Sequence, residues 1–400
     1  MDLSQAPELE GFRSTVRSFF ETEFPKDILA KNKAGASLTT AEVRKSEMAL
    51  GAKGWLASAW PKEHGGPGWS IEEQYVFDEE LERAGVPTVT PMGVVYVGPV
   101  LYTFGTDEQQ ERWLPGIRDG SEGWGQGYSE PEAGSDLASL QFKAERTETG
   151  YRLNGTKIWT SAAQHADWIF LLARTDNSGK KQEGISFIIA PMDDPGVVVH
   201  PIITIDGKHV LNRVEFTDVE VPADHLIGEE GKGWTYSQYL LGNERTSYAR
   251  IGGKRKQLRE LKAIARELSI GGNQRLIDDD QFALKIAGAD MRVDVLEMTL
   301  FRVMSALKDG GSPGNEASIL KIMATETAQE ITTLYLEAAA LFGNCGFADS
   351  VTPDWALQSG QVPAFAAPGV SSYFGARAQS IYGGTNEIQK SIIAKRVLGL

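Results

Sequence analysis

Apolar residues in the first third of the chain recur every three or four positions, at Phe12, Val16, Phe19 and Phe20 and again at Tyr75, Phe77 and Leu81. That spacing lines one face of a helix, so helices are predicted from Leu9 to about Glu122. The run Trp60-Pro61-Lys62-Glu63-His64-Gly65-Gly66-Pro67-Gly68 interrupts them, because its prolines and glycines cannot continue a helix. Between Gly123 and Gly233 the period changes. Tyr151 to Leu153, Trp168 to Ala173, Ile185 to Ala190 and Arg213 to Phe216 are short and rich in β-branched and aromatic residues, which predicts strands. Asn154-Gly155 reads as a hairpin turn, as do Asp206-Gly207 and the stretch Glu229 to Gly233 as turns. From Trp234 the helical period returns, with Phe282 to Leu307, Ala317 to Phe342 and Ser372 to Leu398 long or mostly helical. Ile270 to Asp280, glycine-rich and acidic, reads as a loop. The expected class is α+β: an N-terminal helical domain over 1–122, a small β-barrel domain over 123–233 and a C-terminal helical bundle over 234–400.

Composition narrows the partners. Four hundred residues suffice for two or three domains sharing a sizeable core. With 40 Lys and Arg against 54 Asp and Glu the net charge is −14, which argues against nucleic acid or an anionic membrane surface as partner. Cys345 is the only cysteine, so neither a disulfide framework nor a thiolate metal cluster is expected, and a reducing compartment fits. Met1-Asp2-Leu3-Ser4-Gln5 lacks the features of a secretory or transit segment, and no apolar run approaches the roughly 20 residues of a membrane span. The expected location is the cytoplasm. The basic run Lys254-Arg255-Lys256 offers local positive charge for an anionic ligand, although such a run on a helix is ordinarily a solvated face.

Two stretches are too polar for a core and too structured for a linker. The first is Gln126 to Asp136, where Pro131 favours an extended Glu130, and Gly134 permits a turn that Ser135 and Asp136 close with side-chain to backbone bonds. The second is Thr156-Lys157-Ile158-Trp159-Thr160-Ser161, an indole beside hydroxyls, suited to one face of a planar ligand. Together, Ser-Glu-Pro-x-Ala-Gly-Ser-Asp and Asn-Gly-x-Lys-x-Trp-x-Ser resemble the flavin-binding wall of the acyl-CoA dehydrogenase family, and the resemblance extends over nearly the whole chain. It implies FAD as cofactor, with Gln126, Ser129, Trp159, Thr160 and Ser161 at the isoalloxazine and Ser135 near an acyl-CoA substrate. His64, in the interrupting loop, stands where the family often has Tyr. It reads as a loop residue, since no acid, thiol or second histidine stands at a spacing that suggests a catalytic set.

Dehydrogenation of an acyl thioester needs a base for the α-proton, donors for the developing oxyanion and a flavin for the β-hydride. Tyr382-Gly383-Gly384-Thr385-Asn386-Glu387 resembles the family's C-terminal run, in which the position of Gly383 carries the base in many members. Glycine removes that carboxylate and keeps the main-chain N–H that the resemblance assigns to the thioester oxygen. A replacement is visible in Asn243-Glu244-Arg245, matching members whose glutamate lies on a helix beside an arginine. Neighbouring residues on a helix do not face one another, so Arg245 need not neutralise Glu244. The resemblance further places Thr385 and Glu387 near the flavin nucleotide, Tyr382 and Arg245 near substrate, and Phe342 and Gly343 at the adenosine end of a neighbouring subunit's FAD. The family's pyrophosphate motif has no clear match here, and Arg275 is the candidate substitute. An electron-transfer flavoprotein or similar acceptor and a homo- or heterotetramer are also implied. The pairing of Asn-Glu-Arg with Tyr-Gly-Gly-Thr is most like large subunits acting on pimeloyl-CoA or steroid side-chain CoA esters, implying a bulky or dicarboxylic acyl group. Two other readings stay open: an inactive FAD-holding partner subunit, and a flavin oxidase or monooxygenase on the same fold.

Overall fold

A computed structural model describes residues 7–34, 36, 38–247, 249–308, 317–340, 363 and 365–400; the side chains of 7, 242–247, 305–308 and 367 lie outside that description. Six helices come first: α1 (Pro7–Thr22), α2 (Lys26–Lys33), α3 (Thr40–Gly51), α4 (Ile71–Ala84), α5 (Gly98–Phe104) and α6 (Asp107–Asp119). Their starts are written locally. Thr39, Ser70 and Thr106 each form a capping box with the residue three ahead, satisfying N–H groups that the helix itself leaves unpaired. Gly85 and Gly120 end α4 and α6 in the left-handed region that glycine reaches without strain. Val16, Phe19 and Phe20 are buried as the spacing predicts. The stretch after Trp60 is a loop with one short 3-10 turn, Lys62–His64, and the ring of His64 lies flat on Tyr102 at 4.4 Å.

The middle of the chain is a single curled sheet. Its strands are β1 (Trp124–Gly127), β2 (Lys143–Arg146), β3 (Gly150–Ser161), β4 (Trp168–Arg174), β5 (Ile185–Pro191), β6 (Val197–Ile203) and β7 (His209–Pro222), ordered β1-β4-β2-β3-β7-β6 with β5 paired to β4. β4 alternates between two cores: Ile169, Leu171 and Ala173 pack among the sheet's own residues, while Phe170 and Leu172 join the helical core with Val97 and Leu101. Asn154-Gly155 is not a hairpin turn. It lies inside the twelve-residue β3, where the register against β7 shifts between Leu153 and Gly155, and Gly155 has φ +141°. The Asn154 amide brackets this bulge by exchanging two hydrogen bonds with Asp218, at 2.9 and 3.1 Å. Asp206-Gly207 does turn the chain between β6 and β7, with Gly207 at φ +79°.

The remaining helices are α7 (Gly233–Ser247), α8 (Ile251–Glu267), α9 (Asp280–Lys308), α10 (Ala317–Ala340), α11 (Ala366–Arg377) and α12 (Asn386–Ile392). α8, α9 and α10 share an apolar core containing Leu258, Leu261, Val293, Leu296, Leu320 and Ile331. Ile270 to Asp280 is more ordered than a loop. Ser269–Gly271 (β8) pairs with Gln274–Arg275 (β9), and a 3-10 turn follows over Leu276–Asp278. Gly271 and Gly272 both have positive φ, which is the conformation a tight hairpin demands. The basic run is not a solvated patch: Lys254 is buried and donates to the Ala249 carbonyl, and Arg255 pairs with Asp294 and Glu297.

Candidate active site

The wall residues are held together by a buried cation. Lys157, fully buried on β3, donates to the carbonyls of Tyr128 and Leu172 and to the Glu130 carboxylate at 2.8 to 3.1 Å. All three ammonium protons are thereby placed, as burial of a charge requires. Glu130 in turn accepts from the backbone N–H groups of Gln141 and Phe142, so one ion pair pins both ends of the loop between β1 and β2. Arg174 fastens its second half through the carbonyls of Ala138 and Leu140. The loop turns by a reciprocal backbone pair between Glu130 and Ala133, not by side-chain closure. Asp136 instead takes bonds from the Ser139 hydroxyl and Lys181 and is held below the ordinary carboxylate range by them, while Ser135 is exposed.

The result is that Ser129 lies against Trp159's strand: the Ile158 N–H donates to the Ser129 carbonyl at 2.9 Å. Gln126, on β1, and Ser129 are both half-buried. Trp159 itself has φ +60°, a conformation rare for a bulky L-residue, and its indole is 57 % exposed. The register between β3 and β7 shifts between Lys157 and Thr160, so the strand buckles outward at the indole. Thr160 is buried, its carbonyl accepts from Asn212, and its hydroxyl has no hydrogen-bond partner among the described residues. Ser161 is half-buried and opposite Leu211. An exposed ring next in the chain to a buried, orphaned hydroxyl, with Ser129 and Ser161 half-buried close by in the strand pairing, fits a flat ligand with a polar edge.

On the C-terminal segment, Gly383 and Gly384 have φ +64° and +81° in succession, a turn open to glycine. The Gln389 amide donates to both their carbonyls at 3.3 Å, and Thr385 caps α12 by accepting from the Ile388 N–H. Buried Lys321 donates to Asn386 and anchors the turn from behind. Tyr382 and Glu387 are exposed, and the helix-start N–H at Glu387 holds that carboxyl below its usual range. Arg275 lies on β9, exposed, with a guanidinium bond to the Glu267 carbonyl.

Glu244 and Arg245 stand in the last turns of α7, with side chains outside the described residues, as are Phe342 and Gly343 entirely. The course of α7 is nonetheless defined. It starts at Gly233, packed against Ser186 and Phe187 of β5, buries Tyr236 and Leu240 in the helical core, and hands over to α8 at Arg250, whose charge senses Tyr382. The sequence did not single out Glu130, Arg174 or Gln389. The Lys in the Asn-Gly-x-Lys-x-Trp run was the available signal, since a lysine among strand residues needs a buried acid.

Three helical and β segments in this order, with the wall loop and the glycine turn, correspond to the acyl-CoA dehydrogenases, and the chain belongs to that family. Sequence models of its N-terminal, middle and C-terminal domains match residues 6–121, 125–219 and 231–398. The chain is thus an oxidoreductase acting on CH–CH groups, in a family that depends on FAD. It is 34 % identical to acyl-CoA dehydrogenase FadE26 of Mycobacterium tuberculosis, over 100 % of this chain and 99 % of that protein. It is 33 % identical to acyl-CoA dehydrogenase IpdE1 of the same organism, over 98 % of both. Among solved structures it superposes on the ChsE4-ChsE5 complex from Mycobacterium tuberculosis with a TM-score of 0.85 at 32 % identity, covering 100 % of this chain and 99 % of the other. The Tcur3481-Tcur3483 steroid acyl-CoA dehydrogenase follows at 0.84 and 31 %, with the same coverage.

Strain at Trp159 gives a first expected result. Replacing it with Asn, which tolerates the left-handed region, should leave the ligand-free chain as stable or up to about 1 kcal/mol more stable. Flavin affinity should fall at the same time. Thermal melts with and without added FAD measure both.

Proposed function

We propose that the chain removes hydrogens from the α and β carbons of an acyl-CoA thioester, giving the 2-enoyl-CoA, with Glu244 as the base. The observation that carries this reading is the handover from α7 to α8. Arg250, which opens α8 six positions beyond Glu244, interacts electrostatically with Tyr382, the neighbour of Gly383, and this supports bringing the two segments together. Glu244 takes the α-proton, and the Gly383 N–H donates to the thioester oxygen as negative charge gathers there. Low hydration raises a carboxyl pKa toward the working pH, which suits a base. When bound, FAD supplies acceptance of the β-hydride. Gln126, Ser129, Trp159, Thr160, Ser161, Thr385 and Glu387 would hold it, with Phe342 and Gly343 at the adenosine end, and Ser135, Arg245 and Tyr382 would contact the substrate. The units are those read from the sequence: an N-terminal helical domain over 1–122, the β domain with the wall over 123–233 and the C-terminal helical bundle with the base over 234–400.

The names of the similar complexes support a bulky, steroid-type acyl group and a heteromeric assembly. An apolar stripe on α9, with Leu284, Met291 and Val295 each more than half exposed, supports a tetrameric surface. An electron-transfer flavoprotein is the expected acceptor. No described helix is long and apolar enough to cross a membrane. A second reading, an FAD-holding subunit whose partner supplies the base, is favoured by the missing carboxylate at Gly383.

The purified chain, reconstituted with FAD and mixed anaerobically with a panel of CoA thioesters, should lose its oxidised-flavin absorbance with at least one. Bleaching only after a second subunit is added would favour the other reading. Rapid peroxide formation in air would instead mark an oxidase.

A further inference from the structure

The peptide joining Thr160 to Ser161 lies between two residues in conformations foreign to a strand. Trp159 before it has φ +60° and Ala162 after it has φ +55°, both in the left-handed region that favours glycine. The pairing of β3 with β7 shifts register between Lys157 and Thr160, so the ladder resumes only at this peptide. Non-glycine residues stay in such conformations only where their surroundings over-determine them. The sheet ladder alone does not do that here, and a side chain from β7 completes it.

Asn212, opposite Thr160 and fully buried, gives one amide hydrogen to the Thr160 carbonyl at 3.1 Å and the other to Gln164 Oε1 at 2.6 Å. Its own oxygen accepts from His209 Nε2 at 2.7 Å. The Gln164 amide in turn gives its hydrogens to the His209 carbonyl at 3.2 Å and to His165 Nε2 at 3.1 Å. His165 Nδ1 meets the Thr40 hydroxyl at the start of α3. Two main-chain carbonyls set the direction of this chain of bonds, because the oxygens of Thr160 and His209 can only accept. Neither amide can turn over without placing oxygen against oxygen, so His165 Nε2 is an acceptor and the ring proton is on Nδ1. Burial, with His209 and Arg44 nearby, pushes the His165 ring below its usual pKa, in keeping with that neutral form.

We propose that Asn212 is a positioning residue for the flavin, holding the Thr160–Ser161 peptide in the orientation that presents Ser161 to the ring. This rests on the reading above in which Trp159, Thr160 and Ser161 hold FAD. A peptide unit is planar, so fixing the Thr160 carbonyl also fixes the Ser161 N–H at its other end and the direction in which the Ser161 side chain leaves the strand. With its side chain buried and both hydrogens committed, Asn212 acts on the ligand through that peptide. Gln164 and His209 serve it by deciding which end of its amide faces Thr160. Without the amide, the segment between the two left-handed residues is free to relax, and FAD binding has to restore the strained setting at its own expense.

Asn212→Leu keeps the shape of the side chain and removes its donors. It should weaken FAD binding to the flavin-stripped chain by roughly 10- to 100-fold, the cost of leaving buried polar groups unpaired. Titration followed by flavin fluorescence measures this, and the visible spectrum of the flavin that still binds should move toward that of free FAD. Val219→Ala is the control for a general loss of stability: Val219 is buried on the same strand, opposite Leu153 at the far end of the ladder. It should lower the melting temperature and leave FAD affinity near wild type. Ala162→Gly added to Asn212→Leu should recover the affinity several-fold, because glycine takes the left-handed conformation without strain. If Asn212→Leu does not fold, Gln164→Leu, which removes one partner of Asn212 at a half-buried position, should give a smaller loss of the same kind. An affinity loss no larger than that of Val219→Ala, or no recovery on adding Ala162→Gly, would overturn the assignment. If the wild-type chain takes up no FAD, the reading of the wall itself falls, before any variant is compared.

Discussion

Glu244→Gln is expected to lower the rate of flavin reduction by a good thioester substrate by about 10²- to 10⁴-fold, the span typical of losing a general base. Flavin content and melting temperature should stay close to wild type, because glutamine keeps the shape of the side chain on α7. The variant separates the two leading readings of the chain. A base supplied by a partner subunit would leave the isolated variant and the isolated wild type equally inert, and the assembled pair equally active. Stopped-flow reduction under anaerobic conditions resolves the proton-abstraction step from later oxidation of the flavin. Bleaching at the wild-type rate by the variant alone would remove Glu244 from the mechanism.

The second large effect is on stability. Lys157→Met should cost about 3–5 kcal/mol, the usual result of removing one member of a buried ion pair. Its Nζ is bonded to Glu130 at 2.8 Å and to two main-chain carbonyls, and the side chain is fully buried. Methionine matches the length and so isolates the loss of charge and hydrogen bonds from the opening of a cavity. The carboxylate of Glu130 would keep its two N–H donors and lose its cation. A double variant, Lys157→Met with Glu130→Gln, should recover part of the loss, which a packing defect alone would not allow. Chemical denaturation of the wild type and the two variants measures this, and FAD affinity should fall in parallel because the loop carrying Ser129 is tied down by the same pair.

Helical and strand segments were legible because their signals are local. Phe12, Val16 and Phe19 announce a buried face whatever surrounds them, and the capping residues Thr39, Ser70 and Thr106 mark where helices begin. The wall was legible as a motif, through Pro131 and the indole between hydroxyls. What escaped depended on partners far along the chain. Asn-Gly serves equally as a hairpin turn or as one side of a bulge, and Asp218, 64 positions away, decides it. The roles of Glu130 and Lys157 are set by a contact spanning 27 positions, which no window of sequence displays. Lys254 looked like part of a solvated run because its burial comes from the fold of α8 against α4, not from its neighbours in sequence. The proposed move of the base from position 383 to position 244 rests on the sequence, where an absent side chain at one place and an acid-arginine pair at another are both visible.

The double allegiance of β4 bears on how the molecule is assembled. Phe170 and Leu172 are shared property, lodged among side chains of the first hundred residues, while their alternate neighbours serve the sheet. Cutting at the seams between the three sequence modules would strip apolar surface on both sides of each cut. The modules are therefore units of inheritance and not of folding, and a fragment carrying the sheet alone would present a greasy flank to water and associate through it.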